Sequence, residues 1–312
     1  MTRAEGAGPV RCISVVVPVK DGADTLPLVA DALSKQRGDF DLELRAVDSG
    51  SRDGSVALLR RAGFDVDEIA PREFDHGATR NRGIAATRGE VVVLLTQDAV
   101  PQGEDFLRAI AAPFADPEVA GVYGRQIPRA DCDVVTRRQL EGWLTGRAAP
   151  ARAKLDAPSL EALAPGERHA LCVFDNVCSA VRRTAWERLP FPATPFGEDI
   201  AWGKAAIEAG HAIAYAPDAA VEHSHRRSVL YEYARTRICH RTLHELFGLA
   251  TLPRRRDVAR AVLANWRHDL PYVWRHAPGG LERARQLARI AALAVASPLA
   301  QHRGIRDARR AR

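Results

Sequence analysis

Leu42-Glu-Leu-Arg-Ala-Val-Asp-Ser-Gly-Ser-Arg-Asp-Gly54 joins a short apolar run to an acidic, glycine-punctuated turn, and that junction decides the fold class. Leu42 to Val47 reads as a strand. Gly50 and Gly54 permit a tight turn that brings backbone close to a ligand. Asp48, ending a buried strand, is suited to accept hydrogen bonds from a ribose or base edge. Asp53 reads as the N-cap of a helix from about Ser55 to Ala62.

The same pattern repeats on either side. Ile13 to Val17 reads as a buried strand, Asp24 to Gln36 as a helix capped by Asp24, and Val66 to Ile69 as a short strand. Gly77 to Thr87 reads as a helix and Val91 to Leu95 as a strand. Such alternation implies a parallel sheet with helices on both faces. Ligands on such sheets sit beyond the carboxyl ends of the strands, which puts Pro18-Val-Lys-Asp-Gly22, Asp48 to Gly54 and Thr96-Gln-Asp98 where chemistry is expected. The turn after the first strand, Pro18-Val-Lys-Asp-Gly-Ala23, lacks G-x-G-x-x-G, which sets aside a dinucleotide-dependent oxidoreductase. Beyond it, Val119 to Ile127 and Ala212 to Ala216 read as strands, Asp133 to Leu144 as a polar helix, and Gly146 to Glu167, rich in Ala, Pro and Arg, as a mobile loop.

The chain has 312 residues, 46% of them apolar and 27% charged, as in an ordinary soluble protein. Its five cysteines are odd in number and form no C-x-x-C pair, which fits a reducing cytoplasm. The first eleven residues carry no apolar run, so a signal peptide or anchor is not expected there. Ile290 to Ala300 is far shorter than the roughly 20 residues that span a bilayer. From Tyr231 onward there are 17 arginines and no lysine against six acidic residues, a balance of +11 where the whole chain carries +6. This basic, helical C-terminal segment suggests an anionic surface as partner. Leu281 to Val295 is weakly amphipathic and reads either as a docking helix for the inner membrane or as a helix packed on the catalytic domain. No nucleic-acid reading motif accompanies the arginines.

The chain resembles family 2 glycosyltransferases of the GT-A fold in Val15-Val-Val-Pro18, Asp48 to Gly54 and Ala78-Thr-Arg-Asn-Arg-Gly83. Phe74-Asp-His-Gly-Ala-Thr-Arg-Asn81 and Thr96-Gln-Asp-Ala99 make it similar to the rhamnosyltransferase-type members. The likeness runs to about Ser228. It implies an α/β, Rossmann-like mixed sheet over residues 12–230, between a flexible stretch at 1–11 and a helical extension at 231–312. It implies an inverting transfer of a sugar, rhamnose on a thymidine nucleotide being the first guess, to a glycan or lipid-linked acceptor. An alternative is a nucleotide-sugar-binding protein with weak or no transferase activity.

By the same resemblance Pro18, Val19, Lys20, Asp21, Asp48 and Ser49 line the nucleoside pocket, and Thr79, Arg80 and Asn81 lie near the base and diphosphate. Arg80 is a permanently charged fork, and a helix start near Gly77 offers free N–H groups to an anion. Thr96, Gln97 and Asp98 stand where the family has Asp-x-Asp, so this chain keeps only the second carboxylate. Asp98, with His223 or His225 of Val221-Glu-His-Ser-His225, is expected to hold Mn²⁺ or Mg²⁺, imidazole favouring Mn²⁺. The family's catalytic base maps to Asp199, with Glu198 positioning it. Asp175, Asn176 and Trp202 are expected on the acceptor side.

Overall fold

A computed structural model describes residues 10–311, so the flexible stretch expected at 1–11 lies outside the described residues except for its last two. The chain forms two compact units. The first takes in residues up to Ile127, Trp143–Leu160 and Leu171–His223; the second comprises Pro128–Gly142, Glu161–Ala170 and Ser224–Arg312. The division is therefore discontinuous, where the sequence suggested a single cut near residue 230.

The first unit is built on one mixed sheet of nine strands. They are β1 Cys12–Val19, β2 Asp41–Asp48, β3 Asp65–Glu68, β4 Val91–Leu95, β5 Val100–Pro101, β6 Val119–Ile127, β7 Ala151–Ala153, β8 Cys178–Arg182 and β9 Ala212–Glu222. They lie in the order β3-β2-β1-β4-β8-β6-β9-β5, with β7 beside β9. The four strands β3, β2, β1 and β4 run parallel, so their carboxyl ends emerge along one edge; Val19 stands opposite Asp48 there. β8 runs antiparallel to both β4 and β6, which makes the sheet mixed.

The β-branched runs explain the core. Val15, Val17, Val91, Val93 and Leu95 pack with Leu26, Val29 and Leu33 of helix Leu26–Ser34 on one face. Helix His76–Ala85 covers the other, approaching so closely that a Cβ on Gly83 would lie 2.4 Å from Val16 Cγ1 and 3.3 Å from Val47 Cγ2.

Three local expectations change. Helix Leu26–Ser34 starts after Thr25, with a proline in its first turn in place of a cap by Asp24. Gly54, at φ +90°, is the N-cap of helix Ser55–Arg61. Asp53 instead clasps two loops, accepting from the Ser55 and Ala23 N–H groups at 3.1 and 2.9 Å. The stretch 146–167 is not a structureless loop: β7 pairs antiparallel with β9, and helix Pro165–Leu171 begins within it. A long strand such as β9 offers ladder partners that a short Ala-Arg-Ala segment takes without any apolar pattern of its own.

In the second unit, helices Val229–Phe247, Arg255–His276 and Gly280–Arg310 pack together. Ile290 joins Val273, Ala277 and Val135 of helix Val134–Gly142 in a small core, with Leu287 and Leu293 against it. Leu287, Ile290 and Leu293 thus face the interior of their own unit, as the packed-helix reading expects, while Leu281 stays exposed. No helix among the described residues is long and apolar enough to cross a membrane.

The fit of Gly83 against β1 generates a prediction. Gly83→Ala is expected to destabilise the protein by about 1–3 kcal/mol, because overpacking outweighs the gain in helix propensity. A urea midpoint equal to or above that of the parent would contradict this packing.

Candidate active site

The loops after β1, β2 and β4 are laced into one platform. The Lys20 N–H donates to Gln97 Oε1 at 2.7 Å, and Gln97 Nε2 donates back to the Lys20 carbonyl at 3.0 Å. Lys20 Nζ donates to the Gly50 carbonyl, the Asp21 N–H donates to Ser51 Oγ at 2.8 Å, and Asp21 Oδ1 accepts from the Arg52 N–H at 2.8 Å. Asp21 sits at φ +45°, an uncommon conformation for a side-chain-bearing residue, held here by those two bonds. Lys20 and Asp21 keep nearly half their side-chain surface accessible. Pro18, Gln97 and Asp98 are half-buried beside them.

Several expected donor residues turn inward instead. Val19 and Ser49 are buried, and Ser49 Oγ donates to the Val19 carbonyl at 3.0 Å. Asp48 is fully buried; its Oδ1 accepts from the Gly50 and Ser51 N–H groups at 2.9 and 2.8 Å, and its Oδ2 from Ser51 Oγ. It shapes the loop rather than presenting a carboxylate to a ligand. Asp75 caps helix His76–Ala85 by accepting from the Gly77 and Ala78 N–H groups, so those donors are not free for an anion. Thr79 is buried and accepts from the Asp75 N–H at 3.3 Å. Asn81 spends its carboxamide on Trp186 Nε1 and on both the N–H and carbonyl of Phe191.

Arg80 is likewise internal. Its Nη1 lies 3.0 Å from Glu198 Oε1, with the two side chains only 5% and 7% exposed. Breaking such a pair strands a buried charge, typically at a cost of about 3–5 kcal/mol. Asn176 supports it from the other side: Nδ2 donates to Glu198 Oε1 at 3.1 Å, and Oδ1 accepts from Ser179 Oγ at 2.8 Å. Asn176 is therefore a scaffold of the acidic pair, not an acceptor ligand. Trp202 is also no acceptor ligand, being fully buried against Phe174 and Phe191 with Nε1 donating to the Leu189 carbonyl.

Asp199 opens helix Glu198–Glu208 behind Gly197, whose φ of +80° favours glycine. Its side chain is half-buried, and Oδ2 accepts a long hydrogen bond, 3.4 Å, from the Asn176 N–H. Burial and then the negative charges of Glu198 and Asp175 push its carboxyl up to about 7, against smaller opposing pulls from the Ile200 N–H and from Arg80. A carboxyl poised there suits general base chemistry near neutral pH.

Across the unit, Asp98 Oδ2 lies 3.7 Å from His223 Nε2. His223 follows β9, its N–H donating to the Ile127 carbonyl. Gln126 was not singled out from sequence, yet it connects these groups. Its Nε2 donates to Asp175 Oδ2 at 2.8 Å, and its Oε1 lies 3.1 Å from His223 Nδ1. A carboxylate only accepts, so the amide must turn its NH₂ toward Asp175 and its oxygen toward the ring. Nδ1 then carries a proton, so that in the neutral ring the Nε2 lone pair faces Asp98. The signal available in the sequence was the polar pair Arg125-Gln126 at the end of the run Val119 to Ile127.

A carboxylate oxygen and a neutral imidazole nitrogen form a donor set suited to a divalent transition ion. Thr96 Oγ1, at the position of the missing carboxylate, is buried without a hydrogen-bond partner among the described residues. A buried hydroxyl left unpaired in this place fits a hydrogen bond to a ligand or its water.

Comparison with known proteins bears on the family and the fold. A family model described as glycosyl transferase family 2 matches residues 14–187. The O-antigen chain rhamnosyltransferase RfbN of Salmonella typhimurium is 29% identical over 228 residues, covering 72% of this chain and 69% of that protein. WbaN of Salmonella anatum, also an O-antigen chain rhamnosyltransferase, is 33% identical over 196 residues, covering 62% and 60%. Among solved structures, the mannosyltransferase PcManGT from Pyrobaculum calidifontis, in complex with GDP-Man and Mn²⁺, shares the fold with a TM-score of 0.56 at 18% identity over 98% of this chain and 90% of its own. Glucosyl-3-phosphoglycerate synthase from Mycobacterium tuberculosis, in complex with Mn²⁺, UDP and glucosyl-3-phosphoglycerate, does so with a TM-score of 0.52 at 23% identity, covering 77% and 81%.

The Gln126 bridge predicts a measurable loss. Gln126→Leu leaves the His223 ring unoriented and is expected to weaken Mn²⁺ binding about 10–100-fold by titration calorimetry. An unchanged dissociation constant would remove Gln126 from the site.

Proposed function

The chain belongs to glycosyl transferase family 2, and from that premise we propose that it moves rhamnose from a nucleotide-sugar donor to a glycan or lipid-linked acceptor, with inversion, in the synthesis of a cell-surface polysaccharide. It is a nucleotide-sugar-dependent glycosyltransferase. The choice of rhamnose is supported by its similarity to RfbN and WbaN. A cytoplasmic location, peripheral on the inner membrane, follows from a lipid-linked acceptor.

The observation that carries the transfer step is the Asp199 carboxyl, raised to about 7 at the start of its helix. Asp199 takes the proton of an acceptor hydroxyl as that oxygen attacks the anomeric carbon, and the nucleoside diphosphate departs from the opposite face. Glu198, fixed by Arg80 and Asn176, keeps Asp199 basic enough for this proton transfer. Lys20, Asp21 and Gln97, with Pro18 beneath them, offer the exposed surface of the laced platform to the nucleotide. Asp98 and His223, with His225 two residues further along the chain, hold a divalent cation, Mn²⁺ being favoured by the imidazole. When bound, that cation supplies charge neutralisation for the diphosphate. Thr96 contributes a hydroxyl where relatives of the Asp-x-Asp type have a carboxylate.

Asp199→Asn is expected to bind donor within about threefold of the parent while turnover falls by about 10²–10⁴. Full turnover in this variant would overturn the assignment. Because the base acts when deprotonated, kcat/KM is expected to rise with pH on a limb centred near 7. A profile flat across that limb would mean that another group takes the proton.

A further inference from the structure

Helix Arg255–His276 buries Val258 and Val273 and packs Leu270 and Tyr272 toward the core of the second unit. At 100° per residue the side opposite Val258 and Tyr272 gathers Arg256, Arg260, Leu263, Arg267 and Trp274 into one stripe, at spacings of four, three, four and seven, with Leu270 along its inner margin. All five are exposed, Leu263 at 53% and Trp274 at 61%, and Trp266 flanks them at 40%. Arg283 adds its guanidinium over the Trp274 ring, 5.3 Å from the centroid.

The helix carries two acidic residues, and neither lies within the stripe. Asp269 pairs with Arg138 on a neighbouring helix of the unit. Asp257 accepts from the Arg254 N–H at the helix start, and lies 4.0 Å from Arg256. Among the described residues, Arg260 and Arg267 make no ion pair. The stripe is therefore cationic with large apolar side chains set between the charges.

We propose that this face docks on an anionic lipid bilayer. Guanidinium groups pair with lipid phosphates, while Trp274, Trp266 and Leu263 are of the types that settle at headgroup depth when a helix lies in the interface plane. From Arg256 to Trp274 the stripe extends about 27 Å, long enough to meet several headgroups at once. A phosphate-tracking nucleic-acid face gains from the arginines but not from an exposed leucine between them. The proposal deepens the reading of a lipid-linked acceptor by naming the surface that meets its membrane, but docking requires neither donor nor cation.

The test uses the full chain, sedimented with phosphatidylcholine vesicles with and without phosphatidylglycerol. The parent is expected to partition onto the anionic vesicles only, and less so at high salt. Arg260→Glu with Arg267→Glu is expected to lower that partition by about tenfold or more. Leu263→Ser with Trp274→Ser is expected to lower it severalfold at low salt, where charge still acts. Both variants are expected to keep the parent's thermal midpoint and its transfer to a water-soluble acceptor, so loss of docking and loss of transferase function read out separately. Unchanged partition of either double variant overturns the proposal. So does a parent that ignores anionic vesicles, including one that instead binds an oligonucleotide in a gel-shift assay.

Discussion

The buried pair of Arg80 and Glu198 is the constraint on which the base side of the site depends. It joins helix His76–Ala85, lying against the parallel strands, to the start of helix Glu198–Glu208. The segment before that helix is held close as well: a Cβ on Gly77 would lie 2.1 Å from the Pro192 carbonyl oxygen, and Asn81 grips the Phe191 backbone. An apolar pair in its place could match its stability. What an apolar pair could not supply is the negative charge of Glu198 beside Asp199, which with burial holds that neighbour's proton near neutral pH.

Asp175 ties the two halves of the site together. One oxygen accepts from Gln126, which orients His223, and the other accepts from the Val177 N–H at 2.9 Å. The same carboxylate contributes to raising Asp199. One charge therefore bears both on the imidazole facing Asp98 and on the group that takes the acceptor's proton. The fold brings this about by inserting β8 antiparallel between β4 and β6, so that Asp175 to Val177, just before β8, arrive at the same sheet edge as Asp98.

The sheet was legible in the sequence where burial imposes a pattern. Val91 to Leu95 and Val119 to Ile127 are strands to the residue: the first is apolar and buried throughout, and the second is buried over its first six positions before Arg125 and Gln126 near its end. The site's location was legible too, since glycine-rich polar loops after parallel strands have one place to go. The roles of individual residues were harder to read. Whether Arg80 faces a ligand or Glu198, or Asn81 a base or Trp186, is decided by partners more than a hundred positions away. Local chemistry is the same either way. Gln126 escaped notice for that reason, and Leu281 to Val295 left two readings open because an amphipathic helix does not say what its apolar side will meet.

The central claim is that a laced nucleotide platform and a neutral-pH carboxyl on one sheet make a glycosyl transfer site despite the threonine at position 96. Phosphorus NMR of the purified chain with a panel of nucleotide sugars, with and without Mn²⁺, tests it most directly. The account predicts cation-dependent release of nucleoside diphosphate from a deoxysugar donor. Donor that binds but is never cleaved, at any cation concentration and with acceptor glycan present, would contradict it and leave a binding protein in its place.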